Sequence, residues 1–169
     1  MSGTGRLYVA RVIFHATVLL VAVCLLAAQG CGKVTIGGGG PARYGKLSGP
    51  NVVKTARSQI GAPYKYGGAS PNTGFDCSGL IQWSYNQYGV KVPRRASEQA
   101  KAGKAVKKSE LRHGDIVVFR ISGRSGIHTG MYSGDGRFIH SPSAGKKIRE
   151  DSLNTDYWKR RYVSARRVI

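Results

Sequence analysis

Three side chains in this sequence are suited to acyl transfer: the thiol of Cys77 and the imidazoles of His128 and His140. A thiolate is a strong nucleophile, and an imidazole can accept the thiol proton and later return it to a leaving amine. Cys77 follows Asp76 at the start of a segment with helical periodicity, so we expect it at a helix N-terminus. The free N–H groups and partial positive charge at that end favour the thiolate and can hold an oxyanion.

The two histidines flank a segment rich in Gly and Asp that predicts a β-hairpin. If the hairpin is symmetric about Gly134, His128 and His140 lie directly opposite each other, with Cβ atoms ~4.5–5.5 Å apart. One imidazole can then meet the thiol while the other orients it. A two-residue turn at residues 134–135 would instead pair His128 with Ser141, which places the other imidazole on the opposite face of the sheet.

Other interpretations of the same residues stay open. Both histidines could be ordinary strand residues, and Cys77 could be a small buried hydrophobic residue. A Cys–His–His zinc site needs a fourth ligand, and the sequence offers no evident one. We therefore predict no metal and no cofactor. His113 precedes a tight turn, and we interpret it as a surface residue.

The elements that must position these residues follow from the hydrophobic periodicity and from the places of Gly and Pro. Helices are predicted at residues 51–60, with Asn51 as cap, at 77–88, and at 97–102, with Ser97 as cap. Strands are predicted at residues 116–119, 128–132, 137–140, 147–149 and 162–169. Helices followed by strands favour an α+β fold, with the helices packed against an antiparallel sheet.

Five motifs occur in the order typical of the NlpC family of cell-wall cysteine peptidases, which residues 50–169 resemble. They are GAPYKYGG at 61–68, FDCSGL at 75–80, RHGDIVVF at 112–119, IHTGMY at 127–132 and FIHS at 138–141. The resemblance implies a papain-like, circularly rearranged single domain. It also implies hydrolysis of bonds within peptidoglycan stem peptides without a metal.

The resemblance also implies a role for each matching residue. Cys77 corresponds to the nucleophile of the family's catalytic site, His128 to its base and His140 to its third polar member. Tyr64 matches a tyrosine near the nucleophile that assists the oxyanion or the substrate, and Asp76 and Ser78 match positions that line the substrate groove. Asp76 could equally cap the helix. Thr129 replaces a small apolar residue, and we expect no effect of it on catalysis.

The N-terminal segment has the pattern of an export signal. Residues 12–28 are almost wholly apolar and follow Arg6 and Arg11. A buried helix or a true membrane span is the alternative, although a span needs ~20 apolar residues. Residues 26–31 (LAAQGC) resemble a bacterial lipoprotein signal, in which Cys31 becomes lipidated; signal cleavage beside an incidental Cys is the other interpretation.

These patterns divide the chain into a signal segment at 1–31, a flexible Gly/Pro linker at 32–50 and a peptidase domain at 51–169. We expect a monomer in the cell envelope, anchored through lipid to the membrane. Gly32 after Cys31 favours the outer membrane, facing the periplasm. Cys77 would then be the only thiol of the folded domain.

The strongly basic composition predicts an acidic partner. The chain has 27 Lys and Arg residues against 8 Asp and Glu, a formal net charge of +19. Export argues against nucleic acid, so wall polymers, wall-peptide carboxylates or lipid head groups fit better. We expect a stem-peptide endopeptidase. An amidase or acyl transferase using the same site and a non-catalytic, basic wall-binding module are the alternatives.

Overall fold

A computed structural model of the protein describes residues 45–122 and 126–169. The predicted signal segment, Cys31 and most of the predicted linker lie outside these residues. Among the residues that are described, no helix is long and apolar enough to cross a membrane.

Within residues 45–122 and 126–169, four short α-helices form, and the two longest precede the main sheet. They are α1 (Gly49–Arg57), α2 (Cys77–Asn86), α3 (Ala96–Gln99) and α4 (Asp156–Lys159). The predicted cap of α1 was wrong, because Ser48 precedes the helix and its hydroxyl accepts a hydrogen bond from the N–H of Asn51 at 3.3 Å. The predicted cap of α3 was also wrong, because that helix begins at Ala96, after Arg95, without a side-chain cap.

The strands form one six-stranded sheet and one small two-stranded sheet, and every pairing within them is antiparallel. The six-stranded sheet has the order β3-β8-β4-β5-β6-β7, and β1 pairs with β2. The strands are β1 (Ala69–Ser70), β2 (Gly74–Phe75), β3 (Lys104–Val106), β4 (Ile116–Ser122), β5 (Gly126–Gly134), β6 (Arg137–His140), β7 (Arg149–Ser152) and β8 (Tyr162–Arg167). The predicted α+β class with an antiparallel sheet is confirmed.

Two hydrophobic clusters bury the two faces of the large sheet. Helices α1 and α2 pack on one face, where Leu80 and Tyr85 meet Met131 of β5. The other face carries a smaller, aromatic-rich cluster that includes Phe138 and Trp158. Because successive strand residues point to opposite faces, neighbouring side chains of β6 divide between the two clusters.

The β5–β6 hairpin differs from the predicted symmetric one. Asp135 and Gly136 form its two-residue turn with positive φ angles of 49° and 68°, the conformation that suits a tight hairpin. A bulge between Tyr132 and Gly134 then shifts the register, so that Met131 pairs with Ile139.

This register corrects the predicted contact between the two histidines. Continued along the strands, it places His140 opposite Gly130 and not opposite His128. The expectation of directly opposed residues was therefore wrong. His128 and Gly130, the residue opposite His140, are separated by an even number of positions on β5. The two imidazoles therefore still point to one face of the sheet, as diagonal neighbours.

The start of α2 is held closely against the loop that precedes β1. A Cβ atom added at Gly79 would lie 2.1 Å from the carbonyl oxygen of Gly68, which is backbone and cannot move aside easily. The same carbonyl accepts a hydrogen bond from the N–H of Asp76 at 3.0 Å. The Ser-Gly sequence after Cys77 thus allows the start of α2 to approach the loop that contains Gly67 and Gly68.

We expect Gly79→Ala to destabilise the protein by about 1–3 kcal/mol, because the methyl group must displace backbone. Helix propensity alone predicts the opposite sign, since Ala is about 1 kcal/mol better than Gly within a helix. Urea unfolding of both proteins, followed by circular dichroism, measures the difference. A variant as stable as the wild type or more stable would contradict the close packing.

Candidate active site

Cys77 is the first residue of α2, as the sequence predicted, and Asp76 is the N-cap. The Asp76 carboxylate accepts hydrogen bonds from the N–H of Gly79 at 2.7 Å and from the N–H of Gly67 at 3.0 Å. Arg94 pairs with it through both carboxylate oxygens, at 2.9 and 2.7 Å. Burial acts to raise the pKa of Asp76, but the hydrogen bonds from Arg94 and Gly79 outweigh it and lower the pKa.

The environment of the Cys77 sulfur favours the neutral thiol. Burial raises the pKa of Cys77, and the negative charge of Asp76 acts in the same direction. Backbone hydrogen bonds from Thr129 and Ser78 act to lower the pKa but do not outweigh burial. This direction is opposite to the expected stabilisation of the thiolate at a helix N-terminus, because desolvation outweighs the hydrogen bonds from Thr129 and Ser78.

The Thr129 hydroxyl also lies against the sulfur, and Gln99 determines its orientation. The amide of Gln99 donates to the carbonyl oxygens of Ser78 and Pro93, at 2.9 and 2.8 Å. Its remaining oxygen accepts from the Thr129 hydroxyl at 3.0 Å. The side chain of Thr129 also acts on the Cys77 sulfur, in the direction that lowers the Cys77 pKa, without outweighing burial. The sequence did not indicate this interaction of Thr129 with the sulfur, and the prediction that Thr129 has no effect on catalysis stays a prediction.

His128 and His140 are hydrogen-bonded to each other, and His140 is hydrogen-bonded to Asp151. The distance is 2.9 Å from His128 Nε2 to His140 Nδ1 and 3.1 Å from His140 Nε2 to Asp151 Oδ2. Asp151 Oδ2 also accepts from Trp158 Nε1 at 3.1 Å and from Arg149 Nη2 at 3.0 Å. We refer to His128, His140 and Asp151 as the His–His–Asp network.

This network determines which ring nitrogens carry hydrogen. Hydrogen bonds from His140 and Arg149 hold the pKa of Asp151 well below its usual value, so its carboxylate only accepts. Burial lowers the pKa of both imidazoles, in His128 to about 3 with a further contribution from the neighbouring ring of His140. Both rings are therefore neutral near pH 7. His140 carries its hydrogen on Nε2 and accepts on Nδ1, so His128 donates from Nε2 and its Nδ1 is the unprotonated base.

Aromatic side chains enclose the imidazoles. The Trp158 ring stacks on His128 at 5.8 Å with an interplanar angle of 21° and meets the edge of His140 at 5.1 Å. Phe138 lies 4.8 Å from the His140 ring. These rings keep water from the hydrogen bonds and hold both imidazoles in one orientation.

A surface cavity of about 530 Å³ brings the predicted site residues together. Cys77, His128 and Tyr64 line it, together with Asp76, Ser78 and Arg94. His140 is fully buried behind His128 and is absent from its lining. We call this space the Cys77 cavity.

Tyr64 and Ser78 occupy different surroundings within the Cys77 cavity. Burial raises the pKa of Tyr64, and the charges of Cys77 and Asp76 add to the effect, so its hydroxyl stays protonated and can donate. Ser78 is buried; its hydroxyl donates to Asp76 Oδ1 at 3.2 Å and accepts from Arg94 Nη1 at 3.0 Å. Ser78 thus supports the Asp76–Arg94 pair, whereas Tyr64 lines the same cavity as Cys77.

The structure gives little support to a metal site here. Within residues 45–122 and 126–169, no group of three His, Cys, Asp or Glu side chains is arranged to hold a metal ion. The ring nitrogens that face each other in His128 and His140 are already joined by a hydrogen bond. His113 is exposed, as predicted, and lies beside Gly134.

Sequence reasoning missed Asp151, Arg94 and Trp158. Asp151 belongs to β7, which pairs with β6 so that His140 faces Arg149. No local motif marks it. The only available signal was an acidic residue in a strongly basic chain, just after the predicted strand at 147–149.

Comparison with known proteins connects this site to one family. The sequence profile of the NlpC/P60 family matches residues 61–167. Murein DD-endopeptidase MepH of Escherichia coli K12 is 49% identical over 115 residues, which cover 66% of this chain and 42% of that protein. Bifunctional muramidase/DL-endopeptidase CwlT of Bacillus subtilis is 41% identical over 119 residues, which cover 69% of this chain and 36% of that protein. The matched part of the chain therefore spans less than half the length of these relatives.

Solved structures show the same fold. An NlpC/P60 family protein from Bacillus cereus superposes with a TM-score of 0.68 at 35% identity and covers 72% of this chain and 40% of that one. RipD of Mycobacterium tuberculosis, described as a non-catalytic NlpC/p60 domain protein adapted to peptidoglycan binding, superposes with a TM-score of 0.57 at 27% identity. That match covers 73% of this chain and 100% of the RipD structure.

The raised pKa of Cys77 predicts slow alkylation that accelerates only at alkaline pH. Because the thiolate is the reactive form, the midpoint of the rate–pH curve should lie above the usual thiol value of 9.0. Mass spectrometry of the Cys77 peptide after timed iodoacetamide treatment measures the rate, and the urea-unfolded protein serves as control. A folded-state midpoint below that of the unfolded protein would contradict this assignment.

Proposed function

The chain belongs to the NlpC/P60 family, and on this premise we propose that it is a cysteine hydrolase that cuts peptide bonds in peptidoglycan. The observation that carries the proposal is the shared cavity of Cys77 and His128, with His128 hydrogen-bonded to His140. A nucleophile, a base and a group that orients the base are the minimum set for covalent acyl transfer. The relatives named murein DD-endopeptidase and DL-endopeptidase support the substrate class.

In the first step, the Cys77 sulfur attacks the carbonyl carbon of the scissile bond. The thiol proton moves to Nδ1 of His128 during the attack, because burial disfavours a free thiolate and a free imidazolium alike. The carbonyl oxygen becomes an oxyanion, for which the N–H of Cys77 and the hydroxyl of Tyr64 are the candidate donors. His128 then gives the proton to the leaving amine, the C–N bond breaks, and a thioester remains on Cys77.

In the second step, water hydrolyses the thioester. His128 accepts one proton from the water as the oxygen attacks the thioester carbonyl. Collapse of the tetrahedral intermediate releases the carboxylic acid, and the proton returns to the Cys77 sulfur. The protein is then in its starting state, with a neutral thiol and a neutral imidazole.

Asp151 stabilises the charge that His128 acquires during each step. His128 must become an imidazolium transiently, although burial lowers its pKa to about 3. The Asp151 carboxylate lies one imidazole away, and hydrogen bonds through His140 transmit its stabilisation. It also fixes the tautomer that leaves Nδ1 of His128 free. We therefore propose Asp151 as a fourth, positioning member of the site.

The acyl half of a stem peptide would occupy the Cys77 cavity beside the Asp76–Arg94 pair. Asp76 accepts two backbone hydrogen bonds and pairs with Arg94, so its charge is already balanced. Asp76 and Arg94 then act mainly as a rigid part of the cavity wall that also supports the start of α2. Tyr64 remains as the polar group of this wall that can contact substrate.

We further propose that the chain is exported and anchored through a lipidated Cys31, with the domain acting as a monomer at the outer membrane. The apolar segment at 12–28 and the Gly-Cys pair that closes it support this location. Mass spectrometry of the mature N-terminus tests it, since a diacylglyceryl group on Cys31 is expected.

A binding module without catalysis is the second candidate function. The similarity to RipD, described as non-catalytic, and the net charge of +19 favour it. The complete set of Cys77, His128 and His140 favours catalysis instead. Binding to wall that persists in a Cys77→Ala protein, without any cleavage by the wild type, would support this second candidate.

We expect Cys77→Ala to abolish digestion of purified peptidoglycan, with a loss of about 10³-fold or more, because the variant lacks the sulfur that forms the proposed acyl intermediate. Release of soluble fragments and mass spectrometry of the products measure it. Each cut must create one new peptide amino group. Fragments joined to a second amine would indicate an acyl transferase, and whole peptides released from glycan an amidase. Equal unfolding temperatures of the two proteins show that a loss of digestion does not come from unfolding, and equal digestion by both proteins would contradict the proposal.

We expect Asp151→Asn to lower kcat on a soluble stem peptide by about 10–100-fold, with a smaller change in KM, as for other residues that orient a functional imidazole. The amide removes the charge that stabilises the imidazolium and can donate to His140, which favours the wrong tautomer. Asp135→Asn is the matched control, because Asp135 occupies the hairpin turn and Asn tolerates its positive φ of 49°. Unchanged kcat in Asp151→Asn would exclude Asp151 from the mechanism.

A further inference from the structure

A second cavity of about 490 Å³ lies on the other side of His128. Ile121, His128 and Pro142 line both this cavity and the Cys77 cavity, so the three residues form the boundary between them. Trp158 and Tyr157 contribute the aromatic part of its wall. Its volume falls within the range of cavities that bind small ligands.

The chemistry of acyl transfer assigns different halves of the substrate to the two cavities, if the proposed function holds. The carbonyl carbon must contact Cys77, which lines only the first cavity. The leaving nitrogen must receive its proton from His128, which lines both. The amine half of the substrate therefore extends past His128 into the second cavity.

The ionised side chains of the second cavity carry a net positive charge. Its lining includes Lys146, Arg149 and Asp151. Arg149 donates to Asp151 from Nε and Nη2, at 3.2 and 3.0 Å, so these two charges balance each other. Lys146 is exposed and supplies the excess charge. The cavity thus favours an anionic group.

We propose that the second cavity binds the amine half of the substrate and that Lys146, assisted by Arg149, binds a carboxylate carried there. The substrate class is then a peptide whose leaving amine belongs to an amino acid or diamino acid with a free carboxylate. A carboxamide at the same position forms a weaker, uncharged contact. This selectivity deepens the proposed function, on which it rests.

Two synthetic stem peptides test the selectivity. They share the acyl half and differ only in the amine half, which ends in a free carboxylate in one and in a carboxamide in the other. The wild type should cleave the free acid with a kcat/KM about 5-fold higher, a factor that suits an exposed ion pair. Added salt should reduce this ratio by screening Lys146.

Lys146→Gln should bring the ratio of the two kcat/KM values close to one, mainly by lowering the value for the free acid. Lys147→Gln is the matched control, because it removes the same charge from the next exposed residue, which does not line the cavity. The control should keep the wild-type ratio. Arg149 is unsuitable as the test residue because it also contacts Asp151.

The possible results separate this inference from the proposed function. A wild type without preference, or a preference that Lys146→Gln retains, overturns the inference although cleavage occurs. If the wild type cleaves neither peptide, the proposed function fails, and a binding measurement then tests the inference about the second cavity. NMR titration of the Cys77→Ala protein then compares the released amino acid with its carboxamide. Tighter binding of the free acid that Lys146→Gln weakens supports the carboxylate site, and equal binding overturns it.

Discussion

The hydrogen bond between His128 and His140 depends on the register of one hairpin. The turn pairs Gly134 with Arg137, and this register, continued along both strands, would place the two imidazoles on opposite faces of the sheet. The bulge between Tyr132 and Gly134 shifts the pairing by one residue, which returns both rings to one face. One extra residue in β5 therefore decides whether the imidazole of His128 has His140 as a hydrogen-bond partner.

Packing around the hairpin determines the protonation state of the two imidazoles. The ring of Phe138 occupies the space above Gly130, where a Cβ atom would lie 2.5 Å from the ring. Together with Trp158, it encloses the two imidazoles. In this dry setting both rings are neutral, and a single carboxylate, that of Asp151, determines which nitrogen of each ring carries hydrogen. The protein thus fixes one tautomer of His128, whereas a histidine in water would not be held in a single tautomer.

The parts of the site that local signals encode could be predicted from the sequence, and those that depend on register could not. Cys77 begins a helix because Asp76 is a good cap before an apolar-periodic segment. The change from helical to strand periodicity likewise predicted the α+β fold. The Gly- and Asp-rich turn, however, is compatible with loops that differ in length by one residue. Each loop length places the His140 side chain on a different face of the sheet. Asp151 depends in turn on how β7 pairs with β6.

The neutral resting state of Cys77 slows its oxidation and is compatible with the acyl transfer proposed for this site. Oxidants attack the thiolate, so a raised Cys77 pKa slows oxidation in the oxidising compartment proposed for this chain. The substrate meets a different barrier. In the proposed mechanism, the negative charge that develops as the sulfur attacks passes to the carbonyl oxygen, for which the N–H of Cys77 and the hydroxyl of Tyr64 are the candidate donors, and the proton passes to His128. Burial therefore opposes a free thiolate, which oxidants require, more strongly than it opposes the transition state of acyl transfer.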